Sequence, residues 1–414
     1  HQNAAIPFPH MHVTNGWEPY TSHVDTEALA KSPVGTLVPI RGSDARSGDY
    51  AYFAYVPAEL PTSIDLTPAT WMLVTKAAES IGRLDQACTQ LPDSSLLIRP
   101  ALWREALDTS ALEGTHAALA EVLGARVAAS QQFLSPEVVE IRAYEEIALD
   151  AFAAIADLPI SVGMLCGLQK RLAEGSREKP REPGSVRTHQ VVIGPRGGSV
   201  YDARYVPPPA DDRLSAGLES WERWIAVEHE FPPLVAAALA HYQFEALHPF
   251  SDGNGRIGRL VIVLQLMKAG LLHHPAITLS PWFLRRREEY QDHLLSISKT
   301  GDWNPWVQFV CEAMCAQSES VIAAAMRLLA WRQDVWDKLH ERRFTGTVQK
   351  LAADLIEWPV VSIQFAARKY GVSVPTATRA VEHLVEIGVL TELTGKTYGR
   401  SFGATEVMQV VDGI

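Results

Sequence analysis

Hydrophobic positions along this chain recur at helical spacing over most of its length. From Leu66 to about Gly175, apolar residues return every three or four positions, with breaks. Thr67 followed by Pro68 forms an N-cap and first-turn pair that opens the first of these helices. The spacing changes across residues 185–209, SVRTHQVVIGPRGGSVYDARYVPPP. There β-branched and polar residues alternate, glycines cluster at Gly194–Gly198 and three prolines close the run, which predicts a β-hairpin. Two strands alone are marginal in water, so this hairpin must lie on the helical body. Helical spacing resumes at Asp211 and runs to about Arg343. Residues 1–62, rich in Pro, Gly, Ser and Thr with a short strand-like patch at Tyr50–Val56, predict an irregular N-terminal arm.

The block Thr345–Ile414 changes pattern again. It predicts helices at Val348–Glu357, Ile363–Tyr370 and Pro375–Ile387, then two short strand-like runs around Gly395 and Gly399. Helix, helix, turn, helix, hairpin is the order of a winged helix. The expected architecture is therefore mainly α: an arm over 1–62, a helical body with a β-hairpin flap over 63–344, and a C-terminal winged-helix domain over 345–414.

Composition narrows the class. Of 414 residues, 47% are hydrophobic and 21% charged, which excludes wholesale disorder. A net charge of −11 argues against a coat on nucleic acid, which needs Lys and Arg at phosphates. Four scattered cysteines make no disulfide framework. The longest apolar stretch, Ala151–Leu168, is broken by Asp157 and Pro159, so no membrane span is expected. The first residues, HQNAAIPFPH, have neither the basic nor the apolar region of a secretory signal. A cytoplasmic location follows as the expectation.

The candidate chemistry lies in His248–Arg259, HPFSDGNGRIGR. Upstream, Pro233–Leu247 has the Ala-rich apolar character of a buried helix. Pro249 disfavours helical geometry at His248, so the imidazole should sit where the helix ends. The run DGNG can turn successive backbone N–H groups toward one point, an anion nest. A new helix should start near Asn254–Arg256, with Ile257, Leu260, Val261, Leu264 and Met267 as its buried stripe and Gly270 as its terminator. Its N-terminus would favour an anion at the loop. Arg256 and Arg259 are three residues apart and can reach one polyphosphate. Asp252 offers a hard oxygen to Mg²⁺. A base, an anion nest, two guanidiniums and a metal carboxylate within twelve residues suit attack on a nucleoside triphosphate.

This stretch resembles the signature of the Fic domain, His-x-Phe-x-Asp/Glu-Gly-Asn-Gly-Arg-x-x-Arg, and matches it at all eight fixed positions. The resemblance extends over roughly Pro61–Arg343. It implies a helical Fic bundle that transfers AMP from ATP to a Ser, Thr or Tyr hydroxyl of a target protein, and possibly of itself. It implies His248 as general base and Asp252 as the Mg²⁺ ligand. Gly253, Asn254 and Gly255 would form the anion hole, with Arg256 and Arg259 on the β- and γ-phosphates and Phe250 as an apolar anchor. Upstream, Thr109-x-x-x-Glu113-Gly114 is similar to the family's inhibitory motif, on a helix near 105–115. Glu113 would pair with Arg259 and restrain the reaction. The stretch 185–205 is similar to the family's target-docking flap, with Gln190, Val191, Val192, Ile193 and Gly194 as the docking edge. By similarity, Tyr290 would touch the nucleotide.

Other readings stay open at this point. The same residues could remove AMP from a target, or the chain could be a DNA-binding regulator whose core senses ATP. The last block carries six Lys and Arg against seven Asp and Glu, which favours protein contact or a homodimer over DNA, although Lys396 and Arg400 sit where wing contacts would fall. Cys311 and Cys315 share a helix face, but no further pair completes a metal set.

Overall fold

The computed structural model describes residues 24–44, 46–91, 93–128, 134–176, 179–195, 198–395 and 399–414. The arm is more regular than its composition suggests. After a short helix α1 (Thr26–Ala30), β1 (Gly35–Asp44) and β2 (Gly48–Pro57) pair antiparallel from Gly35↔Pro57 to Asp44↔Gly48. The Asp44 carboxylate accepts the N–H groups of Arg46 and Ser47, which closes the turn. Residues 24–57 therefore correct the expectation of an irregular arm. The alternation on β1 was hidden by its own Pro39 and glycines. Residues 1–23 lie outside the described residues.

The body is built from helices. They are α2 (Pro68–Gln90), α3 (Ser95–Leu112), α4 (Leu119–Val127), α5 (Pro136–Ala154), α6 (Val162–Gly175), α7 (Asp212–Ile225), α8 (Pro233–Leu247), α9 (Asn254–Lys268), α10 (Ser280–Arg285), α11 (Arg287–Thr300) and α12 (Asn304–Glu341). Thr67 caps α2 as expected, its hydroxyl accepting the Thr70 N–H. At the centre, α8 and α9 pack on each other, and nearly every residue of both is buried. Tryptophans from two sides lock α8: Trp221 Nε1 donates to the Ala240 carbonyl at 3.0 Å, and Trp306 Nε1 to the Ala238 carbonyl at 2.8 Å. Helix α3 lies against α5 and α10. Its Glu105 carboxylate accepts the N–H groups of Leu279 and Ser280 at 2.9 and 3.0 Å, holding the start of α10. No described helix is long and apolar enough to cross a membrane.

The expected hairpin at 185–209 is not a hairpin. Among the described residues it makes one antiparallel bridge, Ile193↔Tyr205, and a short 3₁₀ turn at Val200–Asp202. The prolines at 207–209 and the Gly-rich turn leave too few successive partners for a ladder. The tip residues 196–197 lie outside the description. Instead, the true hairpin supports this segment from behind: the Tyr55 N–H donates to the Val206 carbonyl at 2.8 Å.

The C-terminal block contains α13 (Thr347–Ala353), β3 (Val360–Ser362), α14 (Ile363–Tyr370), α15 (Val374–Glu386), β4 (Thr391–Glu392), β5 (Ser401–Gly403) and α16 (Thr405–Asp412), with the strands in the order β3-β5-β4. Helices α14 and α15 and the turn at Gly371 fall near where the pattern put them. Helix α13 is shorter, and β3 and α16 were not expected. Lys396 lies outside the described residues. The block is not detached. β3 packs on α4, and α16 packs on α3, α4 and α12. Arg99 pairs with Glu357 at 3.3 Å and Arg104 with Asp412 at 3.4 Å. The Arg126 guanidinium of α4 lies 5.2 Å from the Trp103 ring of α3 and 4.9 Å from the Trp358 ring, a cation between two aromatic faces.

Trp306 is fully buried and its indole spans α12 to α8. Trp306→Ala should cost about 3–5 kcal/mol in urea unfolding, through the cavity and the unpaired Ala238 carbonyl.

Candidate active site

The site forms where α8 ends and α9 begins. As the Pro249 argument requires, α8 stops at Leu247. His248 takes the left-handed conformation, φ 49° and ψ 62°, with its N–H on the Phe244 carbonyl at 2.9 Å. A non-glycine residue is rarely found there. Phe250 is buried against the core, its ring 6.2 Å from that of Phe244. Asn254 ties the loop shut: its side-chain oxygen accepts the Phe250 N–H, and its amide donates to the Phe250 carbonyl, both at 2.8 Å. The Asn254 side chain is thus spent on the loop rather than offered to an anion. Gly253 is left-handed at φ 85°, which turns the chain into α9. Gln169 of α6 supports the turn by donating to the Asp252 carbonyl at 3.1 Å.

The first amides of α9, at Asn254, Gly255 and Arg256, have no acceptor within the helix. A carboxylate stands over them. The Glu113 side chain, at the end of α3, puts Oε1 only 2.1 Å from where a Cβ on Gly255 would sit. The same oxygen accepts from Arg259 Nη2 at 2.7 Å. Thr109, one turn back on α3, receives the rest of that guanidinium. Its hydroxyl accepts Nε at 2.8 Å and its carbonyl accepts Nη2 at 3.0 Å. Arg259 is 2% exposed, whereas the Glu113 side chain is 34% exposed. Burial would raise the Glu113 carboxyl, but Arg259 outweighs it and holds the group below the usual carboxylate range.

Arg256 is engaged differently. At 1% exposure it pairs with Glu140 of α5, and its Nη2 lies 3.1 Å from Asp252 Oδ2. Glu140 also accepts the Thr115 hydroxyl at 3.2 Å. The Asp252 side chain remains half exposed. No cluster of three metal-ligating side chains occurs among the described residues.

Burial pushes the His248 imidazole down to about 4. Arg187 acts in the same direction, and Glu113 and the Glu245 carbonyl oppose it. His248 is therefore neutral near pH 7. Tyr290 lies in the core instead of on an open pocket. It is 5% exposed, its hydroxyl is 2.7 Å from His241 Nε2, and its ring stacks on Phe283. Gln190, Val191, Val192 and Ile193 are half-buried, and Gly194 is exposed. The Gln190 amide donates to the Val191 and Pro207 carbonyls. Cys311 and Cys315 are buried free thiols.

Two residues of the site escaped the sequence reading. Glu140 shares the buried face of α5 with Ile141, Tyr144 and Ala148, and a carboxylate on an apolar stripe is a signal that a buried cation faces it. Arg187 left no such trace, because its side-chain partners are all backbone carbonyls, most of them distant in sequence.

Buried α8 and α9 meet at a left-handed histidine and a glycine-led helix start, with α3 bringing a carboxylate across, the arrangement that the resemblance of the signature implies. The comparisons agree. Residues 159–266 match the Fic/DOC family and residues 71–153 match the Fic/DOC family N-terminal region, so the chain carries a Fic/DOC domain with its N-terminal part. It is 36% identical over 135 residues to the protein adenylyltransferase Fic of Drosophila yakuba and 35% identical to that of Drosophila melanogaster. Each match covers 32% of this chain and 24% of the relative, so the chain spans about a quarter of the length of these curated relatives. A Fic family protein from Desulfovibrio desulfuricans G20 has a similar fold, with a TM-score of 0.51 at 24% identity over 82% of this chain and 97% of that one.

Folded His248 stays neutral down to about 4, whereas the unfolded side chain titrates near 6.5. Between those values only the unfolded state binds the proton, so stability falls as pH drops through this window. The urea midpoint of His248→Ala should therefore fall less than that of the wild type between about pH 7 and about pH 5. Parallel declines would show that the imidazole is not held neutral.

Proposed function

We propose that the chain transfers AMP from ATP to a Ser, Thr or Tyr hydroxyl of a protein, itself included, and that Glu113 restrains the reaction. The observation that carries this reading is the Glu113 carboxylate lodged between Arg259 and Gly255, where the start of a helix favours an anion. The Fic/DOC matches and the name shared by the curated relatives support the chemistry.

In this reading, neutral His248 takes the proton from the target hydroxyl as its oxygen attacks the α-phosphorus. The bond from that phosphorus to the bridging oxygen breaks, and pyrophosphate leaves. The amides of Gly253–Gly255 and the Arg259 guanidinium hold phosphate oxygens, which requires Glu113 to leave. Arg256 joins them only by loosening Glu140 or Asp252. Asp252 suits Mg²⁺ because one half-exposed carboxylate beside phosphates is this ion's usual protein environment. When bound, the ion would offset charge on the phosphates. The Gln190–Gly194 segment registers the target by backbone pairing.

The C-terminal block serves as a winged-helix-like contact unit for protein, with a second copy of the chain as one such partner. The exposed face of α15 carries Glu382 and Glu386 beside Arg379, a poor match to DNA phosphates.

Intact-mass measurement of the full chain incubated with ATP and Mg²⁺ tests the proposal. Glu113→Gly should gain AMP-sized increments on the order of tenfold or more faster than the wild type, and His248→Ala should gain none. Equal rates in wild type and Glu113→Gly would end the restraint. Transfer by His248→Ala would remove the imidazole from the reaction.

A further inference from the structure

The last carbonyls of a helix have no acceptor duty inside it and must be met from outside. At the end of α8 they are met almost entirely by one residue. Arg187 Nε donates to the His248 carbonyl at 2.8 Å and Nη2 to the Leu247 carbonyl at 3.3 Å. Its own backbone N–H donates to the Pro249 carbonyl at 2.9 Å. The same guanidinium reaches back into its own segment, Nη1 to the His189 carbonyl at 3.1 Å and Nη2 to the Pro208 carbonyl at 2.7 Å. Tyr205, across the Ile193 bridge, gives its hydroxyl to the Ala246 carbonyl at 3.0 Å. Carbonyls 246 to 249 are thus all held by the 187–205 segment.

We propose that Arg187 is the positioning residue for His248, coupling the placement of the 187–208 segment to the placement of the imidazole. Three features support this. His248 holds a left-handed conformation that costs energy and persists only where its surroundings impose it. The His248 Nδ1 is buried with no side-chain hydrogen-bond partner among the described residues, and the contact that bears on the ring from α8 is the Glu245 carbonyl, so the ring is placed by backbone rather than by a second side chain. Arg187 itself is 2% exposed and pairs with no carboxylate among the described residues. A buried cation on neutral carbonyls contributes little stability for its desolvation. Its planar fork, however, spans four carbonyls on three stretches of chain, which an ammonium cannot do. Burial also lowers the Arg187 pKa to about 10, which leaves it charged at neutral pH.

The inference rests on the AMP-transfer reading for its kinetic arm and is independent of it in a second arm. In the full chain carrying Glu113→Gly, Arg187→Lys and Arg187→Met should lower the rate of self-transfer from α-labelled ATP at saturation by about tenfold to a hundredfold. The KM for ATP should move less than about twofold, because the α9 amides and Arg259 are untouched. Arg187→Lys keeps the charge and most of the volume, so it guards against simple unfolding. Rates equal to the parent in both variants would overturn the proposal, as would equal losses in rate and in ATP affinity. The second arm follows the His248 ring by NMR titration in the chain with Glu113 intact. The charged groups acting on that ring are Arg187 from the flap segment and Glu113 from α3, with the Glu245 carbonyl on α8. Arg187→Met should raise the titration midpoint from about 4 toward 6.5. An unmoved midpoint would overturn the proposal. A midpoint moved also in the charge-conserving Arg187→Lys, in a chain that never transfers AMP, would uphold Arg187 while rejecting the transfer reading.

Discussion

Two helix ends of opposite polarity meet within six residues, and the surrounding structure is arranged to satisfy both. The carbonyl end of α8 draws a guanidinium, Arg187, and the amide end of α9 faces a carboxylate, Glu113. This is the complementarity expected of helix dipoles, with each charge delivered by a distant segment rather than by a neighbour in sequence. The histidine lies at the first end and Arg259 one turn inside the second. The burial of α8 and α9, the tryptophans that lock α8 and the Asn254 tie across the loop keep those ends in register.

What was legible in the chain follows from the range of the interactions involved. The stop of α8 at Pro249, the start of α9 at Asn254 and the stripe from Ile257 to Met267 are set by residues adjacent in sequence. So is the turn at Gly253. The Glu113–Arg259 pair spans 146 positions and was accessible only through likeness to a known motif. Glu140 left only the faint signal of a carboxylate on an apolar stripe and Arg187 none, since each is defined by what lies opposite it in space. Tyr290 on α11 faces the core, where its hydroxyl lies 2.7 Å from His241 Nε2. The 185–209 segment has the alternation of a hairpin, yet side-chain anchors on α8 determine its path. The hairpin that does form, at 35–57, was obscured by glycines and a proline on its first strand.

Helix α3 links these features to the rest of the molecule. One end carries Thr109 and Glu113 into the site. Its middle holds α10 through Glu105, and it meets the C-terminal block through Arg99 and Arg104, with Trp103 linked to Trp358 only through Arg126 of α4. The C-terminal block is therefore part of the support of the site through α3.

Gly255 gives the Glu113 contact a quantitative meaning. The space a side chain would need there is already taken by a carboxylate oxygen, and in the proposed reaction an incoming anion would need the same space. In that proposal Glu113 is a ligand tethered to its own receptor. A tether of this kind sets an effective concentration, in the millimolar range for short flexible links, that any free competitor has to exceed. Stiffening or loosening the end of α3 would then change the apparent affinity of the site for anions without altering a single residue that touches them.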